Sequence, residues 1–179
     1  MRVRACVLAG LLLVGAACQP GAGPARTASS PPAHTQTVGG CGSTRVFVGV
    51  APPEWSRAGF SVGAGNWTLP WALSAGGSVV AHLFARQLVA RGERPDGSAN
   101  KVLWVARDVR GSLTVVGHPA ASAEPQVTIA EQMTNGNQMP SIVDVPTPGC
   151  WSFDVGWGTP ASRDSLSLQV LPAGTNPSS

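Results

Sequence analysis

The sequence predicts an all-β fold, an antiparallel β-sandwich of one domain. The chain of 179 residues is long enough for one domain with a core, and its 22 glycines and 16 prolines favour many turns over long helices. Several short runs alternate apolar and polar side chains with the period of two that is typical of strands. Turn residues separate these runs, as they do in β-sandwiches.

Eight segments are predicted as strands: 44–50, 78–85, 100–107, 112–117, 126–130, 141–145, 150–157 and 164–170. The clearest is 150–157, which places four residues on one face: Trp151, Phe153, Val155 and Trp157. Segment 82–92 fits a helix about as well as a strand, so both alternatives stay open there. The Pro- and Gly-rich stretch 51–77 leaves the order of the strands open.

The first residues have the pattern of a secretory signal: Arg2 and Arg4, an apolar run, then small residues before Cys18. The pattern also resembles a bacterial lipoprotein signal, although Gly15 stands where such signals prefer leucine. This resemblance implies a signal peptide at 1–17 and a lipidated N-terminus at Cys18, which anchors the protein to the cell membrane outside the cytoplasm. The alternative is ordinary cleavage and a soluble secreted protein.

The residues after Cys18 divide the chain further. Segment 18–40 is rich in Pro, Gly, Ser, Thr and Ala and lacks apolar periodicity, so it is predicted to be a disordered tether. The sandwich domain is predicted at 41–172, and a disordered tail at 173–179.

The four cysteines indicate a disulfide. Cys6 is lost with the signal peptide and Cys18 takes the lipid, so Cys41 and Cys150 remain in an oxidising compartment. We expect these two to pair; the alternative is two separate buried thiols. A Thr-Pro-Gly turn precedes Cys150, and Trp151 then points toward the core, opposite to Cys150.

Part of the chain resembles a family of uncharacterised bacterial secreted proteins and lipoproteins. The resemblance rests on a K-x-x-W strand starting at Lys101, the strand "LTVVG" at 113–117 and the motif "PTPGCW" at 146–151. It covers about 101–170 and departs most at 51–77. It implies an immunoglobulin-like sandwich, and no catalytic residue is implied by it.

No catalytic, cofactor-binding or metal-binding motif is recognisable. His82 lies in an apolar run and His118 precedes a proline, and neither has the spacing of a zinc site or a nucleophile motif. The net charge of +3 includes the two signal-peptide arginines, and no basic stripe predicts nucleic-acid binding. The sequence therefore predicts no enzyme, no cofactor and no nucleic-acid partner.

Three tryptophans, Trp55, Trp67 and Trp71, are candidates for contact with a ligand, because exposed tryptophans stack on sugars or anchor partners. The alternative is that they fill a core that has no tyrosine. The favoured function is a membrane-anchored, non-catalytic binding or scaffolding module with an envelope protein or glycan as partner. The alternatives are a secreted hydrolase or metal-binding accessory protein with a site near His82 and His118, or an inhibitor that uses the loop 131–140.

Overall fold

A computed structural model describes residues 36–37, 39–60, 67–109, 111–132, 136–158 and 162–177. The predicted signal peptide, Cys18 and the tether as far as residue 35 lie outside the described residues. The strands within them are β1 (Gln36–Thr37), β2 (Val46–Phe47), β3 (Trp71–Leu73), β4 (Val79–Leu83), β5 (Leu88–Val89), β6 (Lys101–Ala106), β7 (Ser112–Pro119), β8 (Val127–Gln132), β9 (Gln138–Ile142), β10 (Gly149–Trp157) and β11 (Ser162–Leu171). Short 3₁₀ turns span Glu54–Ser56 and Ala90–Gly92.

The strands form two sheets that pack as a β-sandwich, so the predicted fold class is confirmed. The six-stranded sheet has the order β1-β2-β3-β4-β6-β9, and the five-stranded sheet has the order β5-β11-β10-β7-β8. Every strand pair is antiparallel except β5 with β11, which is parallel. The predicted strand 150–157 is observed as β10, the middle strand of the five-stranded sheet.

The main core lies between the sheets and follows the predicted alternation. Trp151 and Phe153 of β10 are fully buried in it, and Trp104 of β6 packs against Phe153 with ring centroids 5.7 Å apart. Trp104 Nε1 donates to Ser141 Oγ, and Trp151 Nε1 donates to the carbonyl of Thr147 in the predicted Thr-Pro-Gly turn. Their buried indole N–H groups are therefore satisfied.

Asp164 at the start of β11 connects the two sheets. Its carboxylate accepts hydrogen bonds from the Ser74 hydroxyl and from the backbone N–H groups of Gly76 and Ser78, all in the turn between β3 and β4. Partial burial acts to raise the pKa of the Asp164 carboxyl, but these bonds and one from the N–H of Ser165 outweigh it and hold the pKa below its usual value. The ionised carboxylate thus fixes the β3–β4 turn to the opposite sheet.

Three predicted segments differ from the observed strands. Only Val46–Phe47 of 44–50 is a strand, because Gly49 adopts a positive φ of 74° and leaves the sheet. Segment 82–92 is neither one helix nor one strand: β4 ends at Leu83, and a turn with Arg86 at φ 53° leads to β5. Segment 141–145 is displaced, since β9 starts at Gln138.

β9 can contain a proline because this strand lies at the edge of its sheet. Pro140 lies inside β9, where proline has no N–H to give to a neighbouring strand. β9 is the edge of the six-stranded sheet and pairs only with β6 there, so the missing donor costs no ladder hydrogen bond. Val143 and Val145 follow the strand and remain fully buried in the core, which explains their apolar pattern.

The paired region extends beyond the predicted domain limits 41–172. β1 pairs with β2 upstream of Cys41, and Gly40 bridges to Leu168. After β11, Ala173 packs against the core and the N–H of Gly174 donates to the carbonyl of Glu93. The strand β3, inside the stretch whose strand order the sequence left open, pairs with β2 and β4.

Candidate functional site

Each sheet has one face toward the core and one face away from it. In β4, Val79, Ala81 and Leu83 belong to the main core, so Val80 and His82 face outward. We call the outward side of the six-stranded sheet the covered face. In β10, Trp151, Phe153 and Val155 belong to the core, so Ser152, Asp154 and Gly156 face outward. We call the outward side of the five-stranded sheet the open face.

The covered face carries the three tryptophans that the sequence singles out. Trp67 and Trp71 are only 2% and 5% exposed and form a second hydrophobic cluster with Val80. Phe47 stacks on Trp71 with ring centroids 4.5 Å apart, and Phe60 meets Trp67 edge-on. Burial of Trp67 and Trp71 matches the packing alternative.

Trp55 differs from the other two tryptophans. It is half-buried at the margin of the same cluster, and the Arg107 guanidinium lies 5.9 Å from its ring centroid. A cation at that distance over an aromatic ring is attracted by the ring quadrupole. Of the three, only Trp55 keeps part of its ring accessible.

His82 is fully buried in the covered face, as the core interpretation of its apolar run predicts. Its ring lies 5.7 Å from that of Phe60 and 5.6 Å from that of Trp67, centroid to centroid. Nε2–H donates to the Ser56 carbonyl at 2.7 Å, while Nδ1 has no partner within the described part of the chain. Burial lowers the pKa of His82, and the bond to Ser56 opposes this shift only in part. His82 is therefore a neutral packing residue at pH 7.

One margin of the covered face is exposed to solvent. Near the β9 edge, Phe84 is 42% exposed and Ile142 is 48% exposed. Lys101 of β6 pairs with Ile142, and its Nζ lies 5.1 Å from the Phe84 ring centroid. This margin is small and apolar. The described residues do not show what would cover it.

The open face is polar and rich in hydroxyl groups. Its outward side chains come from β7, β10 and β11 in register; they include Ser112, Thr114, Val116, His118, Ser152, Asp154, Arg163, Ser165 and Ser167. Ser152 and Ser167 are opposite each other, with their hydroxyl oxygens 3.1 Å apart. The alternation in these three strands buries one side and leaves hydrogen-bonding groups on the other.

A depression of about 310 Å³ lies on the open face around Gly156. Gly156 is directly opposite Thr114 on β7 and Arg163 on β11, so a residue without a side chain separates a hydroxyl from a guanidinium. Asp154, the next outward residue of β10, lines the same depression. Trp157 also contributes to the lining, although its side chain is on the core side of β10 and packs against the main core. We call this depression the notch.

The glycine at position 156 is not required by backbone conformation or by packing. Its φ lies outside the left-handed region, and among the described residues a Cβ added there would come within 4 Å of only the Ser162 carbonyl oxygen, at 3.9 Å. Gly117 on β7 is the opposite case, because a Cβ there would lie 2.9 Å from Phe153 and 2.9 Å from Val127. The missing side chain at Gly156 therefore keeps the notch open rather than relieving a clash.

The two charged side chains of the notch differ in their interaction partners. Asp154 Oδ2 lies 3.4 Å from His118 Nε2, whereas Arg163 is exposed and makes no ion pair with any residue that the structure describes. His118 Nδ1 points to the carbonyls of Pro119 and Ser122. The Pro119 carbonyl contributes most to raising the pKa of His118 above its usual value, with smaller contributions from Ser122 and Asp154 against an opposing effect of burial.

The two histidines do not form a common site. His82 faces outward from the six-stranded sheet and His118 from the five-stranded sheet, so the main core separates them. Over the described ranges, no three His, Cys, Asp or Glu side chains are grouped as metal ligands. The geometry gives no support to a site built from His82 and His118.

The disulfide between Cys41 and Cys150 is present, with the Cα atoms 5.8 Å apart. Cys150 is on the outward side of β10, in line with Ser152, and the N–H of Cys41 donates to the Ser167 carbonyl of β11. The bond therefore attaches the N-terminal end of the folded unit to the middle strand of the open-face sheet. Cys18, the predicted lipidation site, lies outside the described residues.

Sequence reasoning missed the notch residues Thr114, Asp154, Gly156 and Arg163. One signal for them exists in the sequence, a glycine at an outward position of the alternating run "CWSFDVGW". A glycine inside a strand often marks the close approach of a ligand or another backbone. The loop 131–140, considered for an inhibitor, lies partly outside the described residues and otherwise contributes to β8 and β9.

No family model, no curated protein and no solved structure matches this chain. Among the described residues, no helix is long and apolar enough to cross a membrane. The function therefore has to be inferred from the residues of the chain itself. In the notch of the open face, hydroxyl, carboxylate and guanidinium groups lie together.

Proposed function

We propose that the protein is a lipid-anchored binding module outside the cytoplasm, and that it holds its ligand on the open face. The observation that carries this proposal is the notch at Gly156, an open depression among polar side chains that neither strain nor packing requires. Binding sites are usually pre-formed depressions with a few convergent polar groups. The described part of the covered face has no comparable set of polar groups, because its aromatic side chains pack against one another.

The location outside the cytoplasm has separate support. The Cys41–Cys150 disulfide is compatible with an oxidising compartment, where such bonds persist. The charged start, apolar run and small residues before Cys18 support secretion and lipidation, and the motif "PTPGCW" resembles secreted proteins and lipoproteins. A single acyl chain binds membranes only reversibly, so stable anchoring needs the several chains of a bacterial lipoprotein N-terminus.

A hydrolase or metal-binding accessory protein is the weaker candidate. That interpretation needs His82 and His118 to converge with an acidic or nucleophilic group, and they lie on opposite faces of the sandwich. The His118–Asp154 pair alone lacks a positioned nucleophile, since the ring nitrogens of His118 face two backbone carbonyls and the carboxylate.

The anchoring is tested by Cys18→Ser in the full chain expressed in its own cells. We expect the variant to lose the lipid and to leave the membrane fraction, while the natural chain stays in it. Mass spectrometry of the N-terminal peptide checks the modification directly. Unchanged membrane retention together with an unmodified N-terminal peptide would contradict the proposal.

The binding role is tested by co-sedimentation of the full chain with washed envelope material from the same cells, with Cys18→Ser present in every protein so that no lipid holds it in the membranes. We expect the chain with no other substitution to sediment with this material and Gly156→Val to remain in the supernatant. Ser167→Ala, on the open face but outside the notch, is the matched control and should also sediment. Equal sedimentation of all three proteins would show that the notch is not the binding site.

A further inference from the structure

We propose that the notch binds one sugar ring of a neutral glycan. This inference rests on the proposed function, because it names the ligand class of the same site. Its basis is the chemistry of the groups around Gly156: hydroxyls, one carboxylate and one guanidinium.

The size of the notch favours a single small group over a protein partner. Its volume of about 310 Å³ is at the lower end of the range of roughly 300–1,000 Å³ for small-molecule pockets. A specific protein partner would bury on the order of 800 Å² on each side, and its contacts would extend well beyond the notch. One ring of a chain-like ligand fits a local depression of this size.

The donors and acceptors of the notch suit sugar hydroxyls. A sugar hydroxyl both donates and accepts hydrogen bonds, and the notch offers both functions side by side. The Asp154 carboxylate only accepts and the Arg163 guanidinium only donates, while the Thr114 hydroxyl does either. Ser112 and Ser162 add two exposed hydroxyls at the rim.

The balance of charge in the notch narrows the ligand class. One carboxylate and one guanidinium line the notch together, so no net charge selects an anion or a cation. A phosphate or carboxylate site would normally direct several donors or a paired arginine at the anion, whereas Asp154 would repel it.

Gly156 explains how a ring can reach the sheet. With no Cβ in the way, a ligand group can approach the backbone of β10 between Thr114 and Arg163. Glycine inside a strand is otherwise unfavourable because it loses more backbone entropy and packs no side chain. Glycine at position 156 therefore makes the strand less stable, but it lets a ligand reach the backbone of β10.

The test is NMR titration of the ¹⁵N-labelled full chain in detergent. The probes are neutral oligosaccharides released from the cell's own envelope, glucuronate and inorganic phosphate. We expect the oligosaccharides to cause saturable shifts of the backbone amide signals of Thr114 and Gly156 at millimolar concentrations. Glucuronate and phosphate should cause weaker shifts at these positions.

Two variants complete the test. Gly156→Val fills the floor and should weaken binding at least tenfold, about 1.4 kcal/mol, while its thermal midpoint is equal to or slightly higher than that of the natural chain. Thr114→Val removes one hydroxyl at nearly constant volume and should weaken binding less. If Gly156→Val fails to fold, Thr114→Val still decides whether the notch is used.

The outcomes separate this inference from the proposed function. If the envelope material retains the chain through Gly156 but the neutral oligosaccharides leave the notch amides unshifted, the binding role stands and the sugar assignment is overturned. Tighter binding of phosphate or glucuronate at these positions also overturns the assignment. If the envelope material does not retain the chain and no probe shifts the notch, both proposals fall.

Discussion

The two outward faces of this sandwich differ in what lies over them. On the covered face, a loop with Trp55 and Phe60 and the side chain of Trp67 bury Val80 and His82 of β4. On the open face, β7, β10 and β11 present hydroxyls and charges to solvent around Gly156. The burial of the strands reflects this difference. Every residue of β4 is buried, whereas in β10 and β11 buried residues alternate with more exposed ones.

The difference shows how a strand pattern indicates where function can lie. A strand that is apolar at consecutive positions is buried on both sides, and its outward side chains serve stability. An alternating strand has one free side, and a residue there that serves no packing purpose points to binding. Mutations on the covered face are therefore expected to change stability, whereas mutations on the open face are expected to change binding.

The largest expected effect concerns the disulfide that supports the open-face sheet. Cys41 and Cys150 are separated by 109 residues, and in the chain-entropy model opening such a loop lowers the free energy of unfolding by about 4–5 kcal/mol. Thermal and urea unfolding of the full chain with and without reductant measures this. Unfolding curves that coincide, or free thiols at both cysteines in protein taken from cells, would show that the bond adds nothing.

The next effect tests the covered face. Trp67→Ala empties a fully packed position of the aromatic cluster and should lower the free energy of unfolding by about 3–5 kcal/mol. Thr114→Ala on the open face should change it by about 0.5 kcal/mol or less. Urea unfolding of both variants compares the two faces directly. Similar losses for the two would mean that the open face also contributes to packing.

The two glycines of the five-stranded sheet provide a smaller and sharper contrast. Gly117→Val places a side chain against the buried Phe153 ring and should destabilise by about 1–3 kcal/mol through overpacking. Gly156→Val meets open space, and valine is a better strand former than glycine, so stability should be equal or slightly higher. Thermal unfolding decides this, and a large loss for Gly156→Val would indicate that the glycine is structural.

The smallest expected effect is a pH dependence of stability that differs between the faces. The pKa of His82 lies below the usual 6.5 because the ring is buried, so the folded state binds fewer protons than the unfolded state. Its contribution is present above pH 6.5 and is lost as the pH falls below that value. His82→Asn should flatten the decrease in unfolding free energy between about pH 7 and 5.

His118 has the opposite sign and serves as the control. Its raised pKa makes the folded state bind more protons, so its contribution is present below pH 6.5 and is lost as the pH rises through the higher folded pKa. His118→Asn should therefore make the decrease toward acid slightly steeper. If the two variants changed the slope in the same direction, the assigned environments of the two histidines would be wrong.

Much of the fold could be predicted, because alternation is a local signal. The strands β7, β10 and β11 lie within two residues of their predicted limits, and the disulfide follows from the cysteine count. β3 was not predicted, because its three residues lie in a stretch dominated by glycine and proline and depend on pairing with β2 and β4. Short strands of this kind are defined by tertiary pairing rather than by propensity.

The candidate site was much harder to predict. Thr114, Gly156 and Arg163 are neighbours only because β7 and β11 pair with β10 in one register, and a one-residue shift would separate them. The sequence instead emphasised tryptophans, since large aromatic rings are common in binding sites. The observed burial of Trp67 and Trp71 depends on the loop that folds over them, which no local pattern indicates.

The disulfide has a mechanical consequence if the anchor and the ligand are placed as proposed. A pull between membrane and ligand enters the folded unit from the N-terminal side, where β1 is held by only two residue pairs. At Cys41 the load crosses a covalent bond to Cys150 and then follows β10 to Gly156, six positions along the same strand. Residues 42–149 lie outside this line of tension. The sandwich can therefore bear a load between its two attachment points without being unravelled from its first strands.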